Sequence, residues 1–168
     1  MTDERMGKGL WAALDRLPRG AGVVFRHYGL PAGERRLLFA AVAKVAKRRR
    51  LLLIRAGDTA FSGEKGIHGR DPRRHRGQRR IFKTWPAHSP AEIIAGKRAG
   101  ADLIFISPVF ATRSHPTGRP LGPLRAAMLA RLAGDNAIAL GGVDERRFRR
   151  LGRGQFVGYA AIDAWIGC

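Results

Sequence analysis

The stretch DLIFISPVFATRSHPTGRPLGPLRAAMLARLAGDNAIALGG, Asp102 to Gly142, decides the fold. It opens on Asp102 to Ser107 (DLIFIS), the clearest strand in the chain. A proline-stiffened loop, Pro108 to Gly122, leads into a helix predicted from Pro123 to about Ala133. Ala137 to Leu140 is a second apolar run and ends on Gly141-Gly142. Strand, helix and strand in this order imply a parallel pair joined by a helical crossover.

The unit repeats in both directions. Upstream, Val23 to Phe25 reads as a strand, followed by a helix from Pro31 to Arg49 whose apolar face is Leu37, Leu38, Ala41, Val42 and Val45. Leu51 to Ile54, Gly66 to His68 and Ile81 to Trp85 supply three more strands. Ser89 and Glu92 then form a capping box that opens a helix ending near Gly100. Downstream, Asp144 caps a short Arg-rich helix, Phe156 to Tyr159 is the seventh strand, and a last helix begins over Ile162 to Ile166. A doubly wound sheet puts its main glycine turn after the first strand. Here the glycine turns follow the later strands, as in a barrel whose phosphate site lies after its last two. The expectation is one α/β domain over residues 1–168, a TIM (β/α)8 barrel with strand one missing or truncated. Met1-Thr2-Asp3 supplies at most the tail of that strand.

Composition narrows the function classes. With 45% hydrophobic residues the chain can bury a core, which excludes wholesale disorder. No apolar run approaches the roughly 20 residues of a membrane span. Acids stand near the start, where a signal peptide needs an apolar core, so a cytoplasmic protein without a membrane partner is expected. A single cysteine, Cys168, excludes an internal disulfide and a cysteine-based zinc cluster. The 32 Lys and Arg against 13 Asp and Glu, a formal charge of +19, raise the question of nucleic acid. The densest basic segment is Arg70 to Lys83 (RDPRRHRGQRRIFK), and its neighbouring aromatics, Phe82 and Trp85, fall on a strand expected to be buried. Stacking platforms are therefore missing, and nucleic acid is not the expected partner. A homo-oligomer stays open.

The candidate chemistry falls at predicted C-terminal strand ends. Arg26, leaving the first strand, reads either as a solvated Arg of a basic surface or as the planar fork that grips phosphate or carboxylate. The next loop of interest concentrates Ser107, Thr112, Arg113, Ser114 and His115 directly after a buried strand. Gly141 and Gly142 allow bare backbone N–H groups to approach a phosphate ahead of a helix N-terminus. Gly158, Tyr159, Ala160 and Ala161 repeat that design one unit later, and two such turns together are far more specific than either alone. His68, at a strand end, reads equally as an acid/base group or as a hydrogen-bonded structural histidine. No HxH, HExxH or carboxylate cluster argues for a transition-metal site.

These segments, in this order, resemble the thiamine-phosphate synthase/TenI superfamily. The resemblance runs through Thr2-Asp3, Phe25-Arg26, Gly66-Ile67-His68, Ala87-His88-Ser89 and Gly100-Ala101-Asp102. It continues through Ser107 to Gly122, Ala139 to Val143 and Gly158 to Ile162, covering essentially the whole chain. It implies a barrel that binds phosphorylated thiazole and aminopyrimidine substrates at its mouth. In the synthase branch, magnesium-bound hydroxymethylpyrimidine diphosphate loses pyrophosphate as the thiazole nitrogen attacks, giving thiamine phosphate. Carried over, Gly141, Gly142, Gly158 and the backbone of Tyr159, Ala160 and Ala161 cradle the thiazole phosphate, and Arg26 reaches pyrophosphate. Thr112, Ser114 and His115 occupy a stretch that contacts both, and His88, Ser89, His68 and Ser107 belong to the pocket.

The departures bear on activity. A Gln-x-Arg-x-Lys pattern is here Val24-Phe25-Arg26-His27-Tyr28, keeping only the Arg. An Asn-Asp pair that helps to hold magnesium becomes approximately Arg55-Ala56, leaving Asp58 and Asp71 as the candidate Mg2+ ligands. The tautomerase branch's catalytic His appears as Ser107-Pro108. Three readings follow: a divergent thiamine-phosphate synthase in which Arg26, Arg55, Arg113 and His115 neutralise pyrophosphate partly in the metal's place; a TenI-like protein that binds a thiamine precursor without this chemistry; and a basic nucleic-acid-binding barrel.

Overall fold

The computed structural model describes residues 1–69, 81–113, 118–152 and 154–166. Among them are seven strands and the helices that follow most of them, forming two compact units; residues 57–65, between the second and third strands, contain no helix. No described helix is long and apolar enough to cross a membrane.

The first unit comprises Met1–Phe82 and the chain from Trp165 onward. After a 3-10 turn at Glu4–Met6 it runs α1 (Gly9–Arg16), β1 (Gly22–Phe25), α2 (Ala32–Arg49), β2 (Leu52–Ala56) and β3 (Gly66–His68). β1 pairs parallel with β2, and β2 with β3, in the registers Phe25↔Arg55 and Ala56↔His68. The C-terminal ends of all three strands therefore share one edge. Thr2 lies along β1, its N–H donating to Val24 O (2.8 Å), although residues 1–3 are not themselves strand. The core packs Phe25 edge-on against Phe39 (5.2 Å between centroids) and stacks Phe39 on Phe61 (4.4 Å).

Helix α2 buries a different stripe from the one predicted. Its inner face is Arg35, Phe39, Val42 and Ala46, while Leu37 is 74% exposed. The apolar count missed this because the inner face begins with a charged residue, whose burial is explained by its partners below. Helix α1 was not expected; Leu10, Ala13 and Leu14 bury one side of it at helical spacing.

The second unit, Lys83–Ala164, holds nearly all of β4 (Phe82–Ala87), then α3 (Pro90–Arg98), β5 (Leu103–Ile106), α4 (Gly122–Ala133), β6 (Ala137–Leu140), α5 (Glu145–Arg150) and β7 (Gly158–Ala160), with the start of α6 (Asp163–Ile166). Every neighbouring pair is parallel, in the registers Ala87↔Ile106, Ile106↔Ala139 and Leu140↔Ala160. Trp85, Ile104, Ile106 and Ala139 meet Ile93, Ala126, Leu129 and Ala130 in one buried cluster. Phe105 and Ile138, on alternate positions, are buried too, so both strand faces are covered. The Ser89 cap forms, its Oγ accepting from the N–H of Glu92 (3.4 Å), while Glu92 Oε2 reaches one residue past the box and accepts from the N–H of His88 (2.7 Å). The seventh strand is shifted. It spans Gly158–Ala160 rather than Phe156 to Tyr159; Val157, its side chain exposed, still donates its N–H to Ala137 O (2.9 Å) just ahead of the strand.

Candidate functional site

In the second unit the parallel register brings four strand ends to one edge, where open α/β folds bind ligands. His88 follows β4, Ser107 follows β5, Gly141 follows β6 and Ala161 follows β7. With Leu140 opposite Ala160, the Gly141-Gly142 turn and the turn at Ala161 are direct neighbours opening at the same end. Gly158, Tyr159 and Ala160 form β7 itself, so their backbone belongs to the ladder and the turn proper begins at Ala161. The Tyr159 ring packs on Phe148 of α5 (5.0 Å), and burial together with the charges of Glu145 and Asp144 raises its hydroxyl pKa.

Both glycines of the β6 turn have positive φ, +92° and +60°. A Cβ on Gly141 would lie 2.7 Å from Pro108 Cα, and one on Gly142 would lie 2.9 Å from Phe110 Cβ and collide with the Ala111 carbonyl. The pair is thus required by the chain's own loop, which folds down onto the turn. Val109 N–H donates to Leu140 O (2.9 Å) and Phe110 N–H to Gly141 O (3.0 Å). Arg147 completes the clamp: Nη1 donates to Gly142 O (2.6 Å) and the guanidinium lies over the Phe110 ring (5.3 Å). Sequence reasoning missed Arg147, although an Arg one turn into the helix after a Gly-Gly pair is well placed to reach its carbonyl. With the carbonyls occupied, the N–H groups of Gly142 and Val143 take no acceptor among the described residues.

On β4 and β5, His88 Nδ1 lies 2.6 Å from Ser107 O. A carbonyl only accepts, so Nδ1 carries the proton and Nε2 holds the lone pair in the neutral ring. Ser107 is itself buried, and Thr112 is half-buried. Arg113 pairs with Asp163 at 3.2 Å across an exposed surface. Ser114, His115 and Asp71 lie outside the described residues, as do residues 70–80 of the basic segment and Cys168.

In the first unit, Arg26 follows β1 and His68 ends β3, on the shared C-terminal edge. The Arg26 backbone is pinned by its N–H donating to Thr2 Oγ1 (3.1 Å). Burial, then the Arg26 charge and the chain's amino terminus, push His68 down to about 4, so its imidazole is neutral at physiological pH. His27 is buried, stacks on Phe25 (4.9 Å) and lies 3.0 Å from Thr2 Oγ1 through Nδ1. Its role is structural.

Arg55 is not a rim cation. It is 2% exposed, its Nε donates to Glu64 Oε2 (2.9 Å), and Nη1 donates to the Gly57 carbonyl. Glu64 also accepts from the Phe61 N–H (2.9 Å), so the pair locks residues 57–64 and is unavailable to pyrophosphate. The same pairing bears on magnesium. Glu64 is neutralised, Asp58 stands exposed, and among the described residues no three His, Cys, Asp or Glu side chains gather. The described residues thus hold no cluster of three metal-binding side chains, and the other candidate ligand, Asp71, lies outside them.

A family model described as thiamine monophosphate synthase matches residues 7–164. The chain belongs to that family. Among solved structures, thiamine phosphate pyrophosphorylase from Pyrococcus furiosus superposes with a TM-score of 0.74 at 16% identity, covering 99% of this chain and 85% of the other. The corresponding protein from Bacteroides thetaiotaomicron gives 0.59 at 18% identity, covering 97% and 79%. At these identities the likeness establishes the fold, a TIM-type β/α barrel with seven of its strands among the described residues. No curated protein sequence matches significantly.

Proposed function

We propose that this family member works as a thiamine-phosphate synthase, joining hydroxymethylpyrimidine diphosphate to thiazole phosphate with release of pyrophosphate. The observation that carries the reading is the β6 turn. Two left-handed glycines are held open by Pro108–Ala111 and Arg147, and the Ala161 turn lies on the adjacent strand. The N–H groups of Gly142 and Val143, which take no acceptor among the described residues, suit a phosphate, and their geometry is set before the ligand arrives, which lowers the ordering cost of binding.

In the first unit Arg26 supplies the charge for the diphosphate. In the reaction the bond between the pyrimidine methylene and the diphosphate oxygen breaks, and the thiazole nitrogen donates its pair to that methylene carbon. Negative charge builds on the leaving oxygen, which is where a guanidinium contributes most. Thr112, Ser114 and His115 are assigned to the same pair of ligands. The test is turnover of the two phosphorylated precursors by the full chain, with thiamine phosphate read by chromatography. Product in wild type and its loss in Arg26→Ala supports the assignment. Absence of product under all conditions overturns it.

A second reading, a TenI-like protein that binds a precursor without turnover, is favoured by one feature. A buried cation, Arg55, stands in the pair of positions where the synthase pattern helps to hold magnesium, and it consumes Glu64. Saturable thiazole phosphate binding without turnover selects this reading.

A further inference from the structure

Tyr28 is 55% exposed, three residues past the end of β1 in the first unit. Two guanidinium groups share that ring: Arg26 Cζ lies 5.7 Å from its centroid and Arg35 Cζ 5.6 Å. The two cations differ in freedom. Arg35 is 8% exposed, and its Nη2 donates to Ala56 O (2.6 Å) and Arg26 O (3.0 Å), with Nε donating to Arg26 O (3.3 Å). Its guanidinium also lies over Phe25 (5.7 Å) and Phe61 (5.1 Å). One planar fork, boxed by three rings, thus ties the residue after β1 to the last residue of β2. The Arg26 side chain makes no hydrogen bond or ion pair to a carboxylate among the described residues; its charge acts on Asp3 only at longer range.

We propose that Arg35 and Tyr28 are positioning residues that hold Arg26 ready for an anionic phosphorylated ligand. Arg35 fixes the Arg26 carbonyl and therefore the direction in which its side chain leaves the strand. Tyr28 supplies the face on which the Arg26 guanidinium is ordered, by the attraction of a cation for an aromatic quadrupole. Repulsion from the immobile Arg35 charge disfavours inward collapse of Arg26. Ordering before binding reduces the side-chain entropy lost when the anion arrives. Lysine cannot replace Arg35, since a single ammonium neither spans the two strand-end carbonyls as a flat fork nor lies flat against rings.

The inference rests on Arg26 being the diphosphate contact, and the experiment separates the two claims. Inorganic pyrophosphate is titrated calorimetrically into the full chain and its variants, with circular dichroism and melting temperature recorded for each. Arg26→Ala weakens affinity about tenfold or more, the usual consequence of losing a charge-assisted contact. Arg35→Lys and Tyr28→Ala each weaken it roughly three- to tenfold, while Tyr28→Phe, which keeps the ring, stays within about twofold. In an Arg26→Ala background neither substitution matters beyond about twofold, because a residue acting through Arg26 has nothing left to act on. A purely structural Arg35 lowers the melting temperature in both backgrounds and shows no such coupling, which overturns the proposal. Tyr28 is a surface position, so Tyr28→Ala carries the test even where Arg35→Lys fails to fold. Full affinity in Tyr28→Ala and Arg35→Lys beside a weakened Arg26→Ala overturns the positioning role alone. Unchanged affinity in Arg26→Ala overturns the Arg26 assignment and the relay with it.

Discussion

Replacing Gly142 by alanine tests how the β6 turn is built. At φ +60° an L side chain costs about 1–2 kcal/mol of backbone strain. The new Cβ also meets Phe110 Cβ at 2.9 Å and the Ala111 carbonyl, neither of which is the far end of a flexible chain. Overpacking of that kind adds roughly 1–3 kcal/mol, so the total is about 2–5 kcal/mol. Gly100 is the matched control: its φ is +69°, but a Cβ there has nothing within 4 Å, so Gly100→Ala costs only the strain, about 1–2 kcal/mol. Urea unfolding of both variants gives the difference. Calorimetry with thiazole phosphate adds a second readout, because moving Pro108–Ala111 off the turn redirects the N–H groups of Gly142 and Val143 and weakens binding. A Gly142→Ala variant as stable as Gly100→Ala, or one that binds thiazole phosphate like wild type, refutes the reasoning. Gly142→Asp is less informative, since its bulk alone disrupts the turn whatever its charge does.

Glu64→Gln leaves the buried Arg55 charge poorly compensated and is expected to cost about 3 kcal/mol in urea unfolding, with pyrophosphate affinity unchanged. His68 titrates near 4 in the folded chain against an ordinary value near 6.5. Below 6.5 the unfolded chain takes up the proton first, so stability is full above that pH and falls as pH drops toward 4, by up to about 3 kcal/mol. His68→Asn flattens this acid limb, and an unaltered limb in unfolding curves from pH 7 to 4 contradicts the burial of the neutral ring. Ser89→Ala removes the α3 cap and is expected to cost about 1 kcal/mol by thermal unfolding.

The strands were legible where burial is two-sided. LIFI in β5 and AIAL in β6 are uninterrupted apolar runs, and no helix surface reads that way. The α3 start was equally plain, because a capping box is a local code. The inner face of α2 was misread because Arg35 is buried by two carbonyls and three rings that lie 7 to 26 residues away in sequence. The same applies to Arg55, whose partner Glu64 gives no local signal. At the site, the clustering of turns at one edge followed from parallel strands. Why Gly141 and Gly142 must be glycine did not, since the atoms that forbid a side chain belong to a loop some 30 residues earlier. Phe156 and Val157 resembled a strand because one is buried and the other bonds to Ala137 O, yet both precede the ladder itself.

Glu92 Oε2 accepts from both the His88 N–H and the Ser89 hydroxyl. One carboxylate oxygen therefore joins the opening turn of a helix to the aim of an imidazole, and neither can fray without the other. Amide hydrogen exchange at Glu92 and Ile93, far easier to follow than a histidine ring, becomes a reporter of whether anything occupies that end of the barrel.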